Sequence, residues 1–232
     1  MGEESVLRAV ELNKTFWAGP EKTVALDNVS LEIRKKEILA VYGPSGSGKT
    51  TLLFILGGFD KPTSGRVMLD GIEISNMDER RLSQIRRSAV GFVFQNYNLV
   101  EELTVLENVK LTMMFDGIIE DEMKKRASEL LNRVGLAGKE KRRPSQLSAG
   151  EQQRVAIVRA LANGPRLVLM DEPTGNLDQD NSRIIMEFVA NIMLVDDVSF
   201  IIATHNLEIV QETPLRLFLN AGRVAAGFLS QS

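Results

Sequence analysis

The amino-acid sequence predicts an α/β fold with a mainly parallel sheet, on three observations. Short apolar runs of strand length recur along the chain, at "EILAVYG" (37–43), "AVGFVFQ" (89–95), "RLVLMDEP" (166–173) and "VSFIIATH" (198–205). Segments of helical spacing fall between them, and strands covered by crossover helices on both faces read as continuous apolar runs. The first run ends in a glycine-rich turn that opens a helix, and ligands of parallel sheets gather at such carboxyl ends.

Taken in order, residues 5–34 read as strands with turns: "SVLRAVEL", then "NVSLEI", which alternates apolar and polar residues. The polar stretch Ala18–Lys22 reads as a loop. "SGKTTLLFILGG" (47–58) reads as a helix with a glycine stop, followed by a loop at Asp60–Ser64. "GRVMLDGIEI" (65–74) has the form of a hairpin turning at Asp70-Gly71. Gln95 is expected to end the buried strand 89–95, and from Asn96 to about Asn163 the pattern turns helical. Within that region Met123, Ala127, Leu130, Leu131 and Val134 fall on one helical face. A basic stretch, Gly138–Ser145, reads as a loop, and a helical segment (180–195) separates the last two apolar strands.

Composition narrows the function classes. Lys and Arg number 28 against 31 Asp and Glu, a formal charge of −3, which argues against a general nucleic-acid binder. There is no cysteine, so disulfides and thiolate metal sites are excluded. The start of the chain lacks the basic-then-apolar layout of a signal peptide. The longest apolar run, Leu52–Phe59, is far short of the ~20 residues a spanning helix needs. No solenoid repeat or low-complexity tract interrupts the chain.

Two motifs carry chemistry. "GPSGSGKTT" (43–51) matches the P-loop pattern, with Gly43, Gly48, Lys49 and Thr50 in register between a strand and a helix. Ser45, Gly46, Ser47 and Thr51 complete the expected cradle, whose backbone N–H groups and helix N-terminus favour phosphate. Lys49 is expected on the β- and γ-phosphates and the Thr50 hydroxyl on Mg²⁺. In "LVLMDEP", Asp171 and Glu172 close an apolar strand, poor placement for a core and good placement for a site. Asp171 is the expected Mg²⁺ partner, and Glu172 the base that takes a proton from an attacking water. A third motif, "SAGE" (148–151), reads as a capping box for a helix over 151–163, or as an anion site at that helix's start; the spacing alone fits both.

Gly43–Thr50, Gln95, Leu147–Gln152, Leu167–Glu172, Asn176–Asp178 and His205 occur in the order and spacing that resembles ATP-binding cassette proteins, over essentially the whole chain. "LSAGEQ" resembles that family's signature, with Ala149 for its usual middle glycine and Glu151 for its usual glutamine. "FVFQNYNLVEELTVLENV" and "DEPTGNLD" resemble the branch of lipoprotein-release, macrolide-export and cell-division ATPases.

The resemblance implies a P-loop NTPase core with an antiparallel β subdomain and an inserted helical subdomain, in one domain over 1–232. The core would comprise about 1–95 and 164–232, and the helical signature part about 96–163. It implies ATP and Mg²⁺ as ligands, and a head-to-tail dimer with a second copy of the chain. In that dimer Ser148 and Gly150 would touch the partner's ATP, with Asp178 across the interface. By the same resemblance Gln95 senses the metal and the attacking water, and His205, the single histidine, contacts the γ-phosphate. Phe16 matches the aromatic that stacks on adenine, with Trp17 the rival. The implied function is an ATPase that powers a membrane transporter through an integral permease, from the cytoplasmic face of the membrane. The alternative is mechanical work on a membrane complex, as in the division-associated members. Ribosome-bound and DNA-repair cassettes fit poorly, since this chain carries neither a second cassette nor long coiled-coil insertions. The short stretch after His205 leads to the expectation of no C-terminal regulatory domain.

Overall fold

The computed structural model describes residues 5–115 and 117–226. Two sheets organise them. β1 (Ser5–Ala18), β2 (Glu21–Arg34), β4 (Ser64–Leu69) and β5 (Ile72–Glu73) form an antiparallel sheet in the order β2-β1-β4-β5. β3 (Ile38–Tyr42), β6 (Val90–Val93), β7 (Leu167–Asp171), β8 (Ser199–Thr204), β9 (Leu215–Asn220) and β10 (Arg223–Ala226) form the second, ordered β10-β9-β3-β8-β7-β6. Its pairings are parallel except for the β10–β9 hairpin at the edge. The helices are α1 (Lys49–Leu56), α2 (Glu79–Ala89), α3 (Val105–Lys110), α4 (Glu120–Arg133), α5 (Ala149–Leu161), α6 (Gln179–Asp196) and α7 (Leu207–Glu212).

Strand alternation divides the apolar residues among three cores. Leu167, Leu169 and Ile201 face α1, where Leu52, Leu53 and Leu56 meet Leu7, Leu26 and Leu39 between the two sheets. Val168, Met170 and Phe200 face the other way, onto Ile157 of α5 and Ile185, Val189 and Ile192 of α6. A third core lies among the helices, where Met123, Ala127, Leu130, Leu131 and Val134 pack on Val109, Val155 and Val158. The face expected from helical spacing is therefore the buried one. Full burial of each such aliphatic side chain contributes roughly 1.5–3 kcal/mol.

Several boundaries differ from expectation, each for a physical reason. The loop expected at Ala18–Lys22 shrinks to Gly19 and Pro20, because the β1–β2 ladder runs on through Phe16↔Thr23, Trp17↔Lys22 and Ala18↔Glu21. Aromatic and β-branched cross-strand pairs sustain such a ladder in polar company, and the Lys22 ammonium sits 5.8 Å from the centre of the Trp17 ring. The strand expected over 89–95 ends at Val93, so Gln95 occupies a turn instead of a strand end. The chain then breaks direction at Tyr97 (φ 62°) and Asn98 (φ 49°). Helix does not begin at Asn96 but at Val105, where Thr104 and Glu107 form a capping box. α2 escapes the sequence reading because only Leu82 of its eleven residues is buried. α7, β9 and β10 were likewise not read from the sequence.

One close contact tests the fold. A Cβ on Gly91 would lie 2.4 Å from the Ala160 carbonyl oxygen of α5, a backbone atom that cannot swing away. Gly91→Ala is therefore expected to destabilise the protein by about 1–3 kcal/mol through overpacking. Urea unfolding measures this, and an unchanged midpoint would show that the strand and helix separate easily.

Candidate active site

The phosphate loop fills the step from β3 to α1. Gly43 (φ 155°) and Gly48 (φ 104°) hold backbone angles that suit glycine. Each is also pressed against backbone: an added Cβ would come within 1.9 Å of the Leu219 oxygen at Gly43, and 2.4 Å of the Ala25 oxygen at Gly48. The Gly222 amide donates to the Ser47 carbonyl at 3.0 Å. Lys49 is 7% exposed, and its Nζ donates to the carbonyls of Gly43 at 2.9 Å and Pro44 at 3.1 Å. The lysine thus lies across the mouth of its own loop. The Ser47 side chain is buried with its hydroxyl unpartnered, while Ser45, Gly46 and Thr50 are exposed and Thr51 is half-buried. Gly48 caps α1 without any side-chain hydrogen bond, so side chains leave the first-turn amides of that helix unclaimed.

The two acids stand at the end of β7, next to the end of β8, with β3 one strand further along the sheet. Asp171 is 7% exposed. Burial holds its carboxyl above the ordinary aspartate range, and the Glu172 charge pushes the same way, against a hydrogen bond from Thr50 and the nearby Lys49. Its Oδ1 is buried with no hydrogen-bond partner. A buried acceptor without a donor costs about 1–3 kcal/mol, so this oxygen is suited to a ligand that supplies positive charge. Glu172 takes the left-handed region at φ 46°, a conformation tolerated where the surroundings fix it. Its amide donates to the Ala203 carbonyl at 2.8 Å, and Oε2 accepts from the His205 backbone N–H at 3.2 Å and lies 2.9 Å from His205 Nδ1. The Glu172 side chain is 12% exposed and that of His205 65%, so the acid is sheltered and the ring open.

The residues present fit Mg²⁺. Among the described residues no cluster of three or more His, Cys, Asp or Glu forms a metal cage. Mg²⁺ instead takes one or two carboxylates together with substrate phosphates. Asp171, with its unpartnered buried oxygen and Thr50 as neighbour, is such a carboxylate.

A second group gathers at the starts of α5 and α6. Ser148 caps α5: its Oγ accepts from the Glu151 amide at 3.3 Å, and its own amide donates to Glu151 Oε2 at 2.9 Å. Both the capping-box reading and the exposure an anion site needs are thus met at Ser148. Gly150 is buried against α6, where a Cβ would sit 2.5 Å from Asn181 Oδ1. Asn181 Nδ2 donates to both carboxylate oxygens of Asp178, at 3.0 and 2.9 Å, and Asp178 caps α6. Those bonds, led by the Asn181 amide, keep the Asp178 carboxyl below its usual range. Gly150 and Asp178 are therefore linked through one asparagine, which the sequence reading missed.

Gln95 is exposed on its turn, and its carbonyl accepts from Asn176 Nδ2 at 3.4 Å. The turn is tied to α5 by Arg159, whose guanidinium donates to the carbonyls of Tyr97 and Asn98. Sequence reasoning also missed Arg159, since an arginine inside an amphipathic helix carries no distinguishing signal. Phe16 is 45% exposed with Lys14 Nζ 4.9 Å from its ring centre, and Trp17 is 66% exposed. Successive residues of a strand face opposite ways, so the two aromatics do not form one surface.

A glycine cradle at a helix start, backed by an acid pair at a strand end two places along the same sheet, defines a P-loop nucleotide-binding protein. The chain belongs to the ABC transporter family, whose model matches residues 26–175. An uncharacterized ABC transporter ATP-binding protein of Thermotoga maritima is 47% identical over 221 residues, which cover 95% of this chain and 94% of that protein. The lipoprotein-releasing system ATP-binding protein LolD of Pseudomonas fluorescens is 40% identical, covering 97% of this chain and 100% of its own. The dimeric, post-hydrolysis ATP-binding cassette MJ0796 bound to ADP and Pi has a TM-score of 0.89 at 38% identity, covering 97% of this chain and 98% of that one. The protein is thus an ATP-binding cassette ATPase.

Asp171 yields a stability prediction. Its folded pKa is raised, so the folded state binds the proton more tightly than the unfolded chain does. Its penalty is therefore absent below the ordinary aspartate range and grows as pH rises through the raised value. Asp171→Asn should stabilise the nucleotide-free protein at neutral pH, with the gain fading as pH falls below that range. Denaturant melts across pH check this; equal stability of the two proteins at neutral pH would contradict it.

Proposed function

We propose that this chain is the ATP-hydrolysing subunit of a membrane transporter, working as a pair of copies at the cytoplasmic face of the membrane. The observation that carries the reading is the convergence of the Gly43–Thr51 loop, Asp171, Glu172 and His205 at adjacent strand ends. Relatives named as ATP-binding subunits of lipoprotein-releasing systems, 38–41% identical over 97% of the chain, support a membrane partner over a soluble role or a purely mechanical one.

In this reading the loop amides and Lys49 hold the β- and γ-phosphates, and Phe16 stacks on the adenine. Thr50, Asp171 and Gln95 would hold Mg²⁺, which when bound neutralises charge on the phosphate oxygens. Glu172 accepts a proton from the water that attacks the γ-phosphorus, as the bond to the ADP oxygen breaks. His205 holds the Glu172 carboxylate and presents its exposed ring to the γ-phosphate. Ser148, Gly150 and Asp178 act on the partner copy's nucleotide, so ATP joins the two subunits and hydrolysis loosens them. The dimeric state of the MJ0796 cassette with ADP and Pi supports this arrangement.

No helix among the described residues is long and apolar enough to cross a membrane, and the proposed partner is an integral permease. The helical region 96–163 supplies half of its proposed seat. A groove of about 540 Å³ runs between that region and the core, floored by Phe59, Phe92 and Phe94 and edged by Arg86 and Phe115. Phe115 is 70% exposed at its rim, as an anchor for a partner helix would be.

Glu172→Gln is expected to bind ATP, to slow hydrolysis by about 10²–10⁴-fold and to run as an ATP-dependent dimer in sizing chromatography; parental turnover would remove Glu172 as the base. Adding Ser148→Arg should abolish that dimer while the monomer still binds ATP by calorimetry, and a surviving dimer would remove the cross-subunit role. Phe115→Asp should lose co-purification with the membrane subunit and retain the ATP dimer; retained co-purification would move the seat elsewhere.

A further inference from the structure

The signature helix begins with a charge problem. Glu151 is the third residue of α5, and its carboxylate lies one hydrogen bond from the Ser148 amide, 2.9 Å away. On the proposed function, on which this inference rests, Ser148 meets the terminal phosphates of the partner's ATP. A full negative charge would then stand beside the place where the most negative part of the ligand must arrive. Such like charges lie well inside the screening length of about 8 Å at physiological salt.

The structure supplies a counter-charge. Lys139, from the basic stretch between α4 and α5, forms an ion pair with Glu151 Oε1, while Oε2 serves the capping box. The pair is substantially sheltered, with side chains 27% and 15% exposed for Lys139 and Glu151. Arg154, the next cation along the same helix, adds a weaker field at Glu151. The carboxylate is thus divided: one oxygen holds the helix start, the other holds a lysine.

We propose that Lys139 is a positioning residue for the ATP-bound dimer, cancelling the Glu151 charge so that the Ser148 helix start can accept the partner's phosphates. The alternative, a structural staple between a loop and a helix, makes different predictions. If the pair only staples, removing either partner does the same damage. If Lys139 neutralises, removing Lys139 alone is harmful, because Glu151 is left unmasked. Removing the Glu151 charge is then harmless, since glutamine also completes a capping box.

The test uses the full chain with Glu172→Gln, so that ATP is retained, and reads the dimer dissociation constant by sedimentation. Lys139→Met should weaken the ATP dimer about tenfold, as expected for an uncompensated charge at a partly exposed interface. Its effect should shrink as salt is raised, with ATP affinity of the monomer and the thermal melt unchanged. Glu151→Gln should dimerise at least as well as its parent. The double variant should return to the parental value, and Lys139→Arg should stay there throughout. A Glu151→Gln variant as weak as Lys139→Met, or a double variant no better than Lys139→Met, would overturn the neutralising role and leave the head-to-tail reading intact. Failure of the Glu172→Gln parent to dimerise with ATP would overturn both.

Discussion

The constraint on which the site depends is the contact of backbone with backbone around the phosphate loop. Gly43 is pressed against the Leu219 carbonyl at the end of β9, and Gly48 against the Ala25 carbonyl of β2. These two carbonyls belong to different sheets. The loop is thereby wedged where the sheets meet, and Gly222 fastens both sides, donating to Ser47 and accepting from the Asp27 amide at 2.8 Å. No side-chain rearrangement relieves a contact of this kind, so the cradle is set by the fold itself. Preorganised amides need no reordering when a phosphate arrives, which is the advantage of binding by backbone.

The same rigidity explains how Glu172 can occupy a strained conformation. β7 is buried at every residue and paired on both sides, to β6 and to β8. The ladder continues one residue beyond the strand, where the Glu172 amide reaches Ala203. The backbone then turns through positive φ, which directs the carboxylate to His205 at the end of β8. Asp171, still within the strand, keeps its carboxyl buried beside Thr50. Two adjacent acids thus receive opposite environments: one desolvated and poised for a cation, the other sheltered but open to a histidine and the solvent beyond it.

Much of this was legible in the sequence, because the motif residues sit at strand ends and strand ends follow apolar runs. "EILAVYG", "RLVLMDEP" and "VSFIIATH" located β3, β7 and β8 and with them Lys49, Asp171, Glu172 and His205. The apolar face of α4 was readable for a similar reason: its spacing is regular and its interior is aliphatic. What was not legible depends on contacts between distant residues. Arg159 clamps the turn after Gln95 from sixty residues away, Asn181 joins Gly150 to Asp178, and Lys139 meets Glu151 across a loop. Each is an ordinary polar residue in its own segment. The end of β6 was misjudged because Phe94 extends the apolar run, whereas the paired strand stops at Val93 and Gln95 lies in a turn.

The two helix starts in the proposed machinery solve opposite problems with the same dipole. Both α1 and α5 present a positive N-terminal end. At α1 the cap is a glycine with no side chain, and a lysine follows at once, so the amides stay available for a highly charged ligand. At α5 the cap is complete, with Ser148 and Glu151 exchanging hydrogen bonds, so two of the orphan amides are already satisfied. A start of the first kind is an open phosphate site by itself. One of the second kind is stable without any ligand, and what it has left to offer is the hydroxyl proton of Ser148, the first-turn amide of Gly150 and the residual field of the helix. On the proposed function it contributes to a nucleotide held chiefly by other groups, without holding one alone. That difference suits an interface that must form when ATP is present and come apart when it is gone.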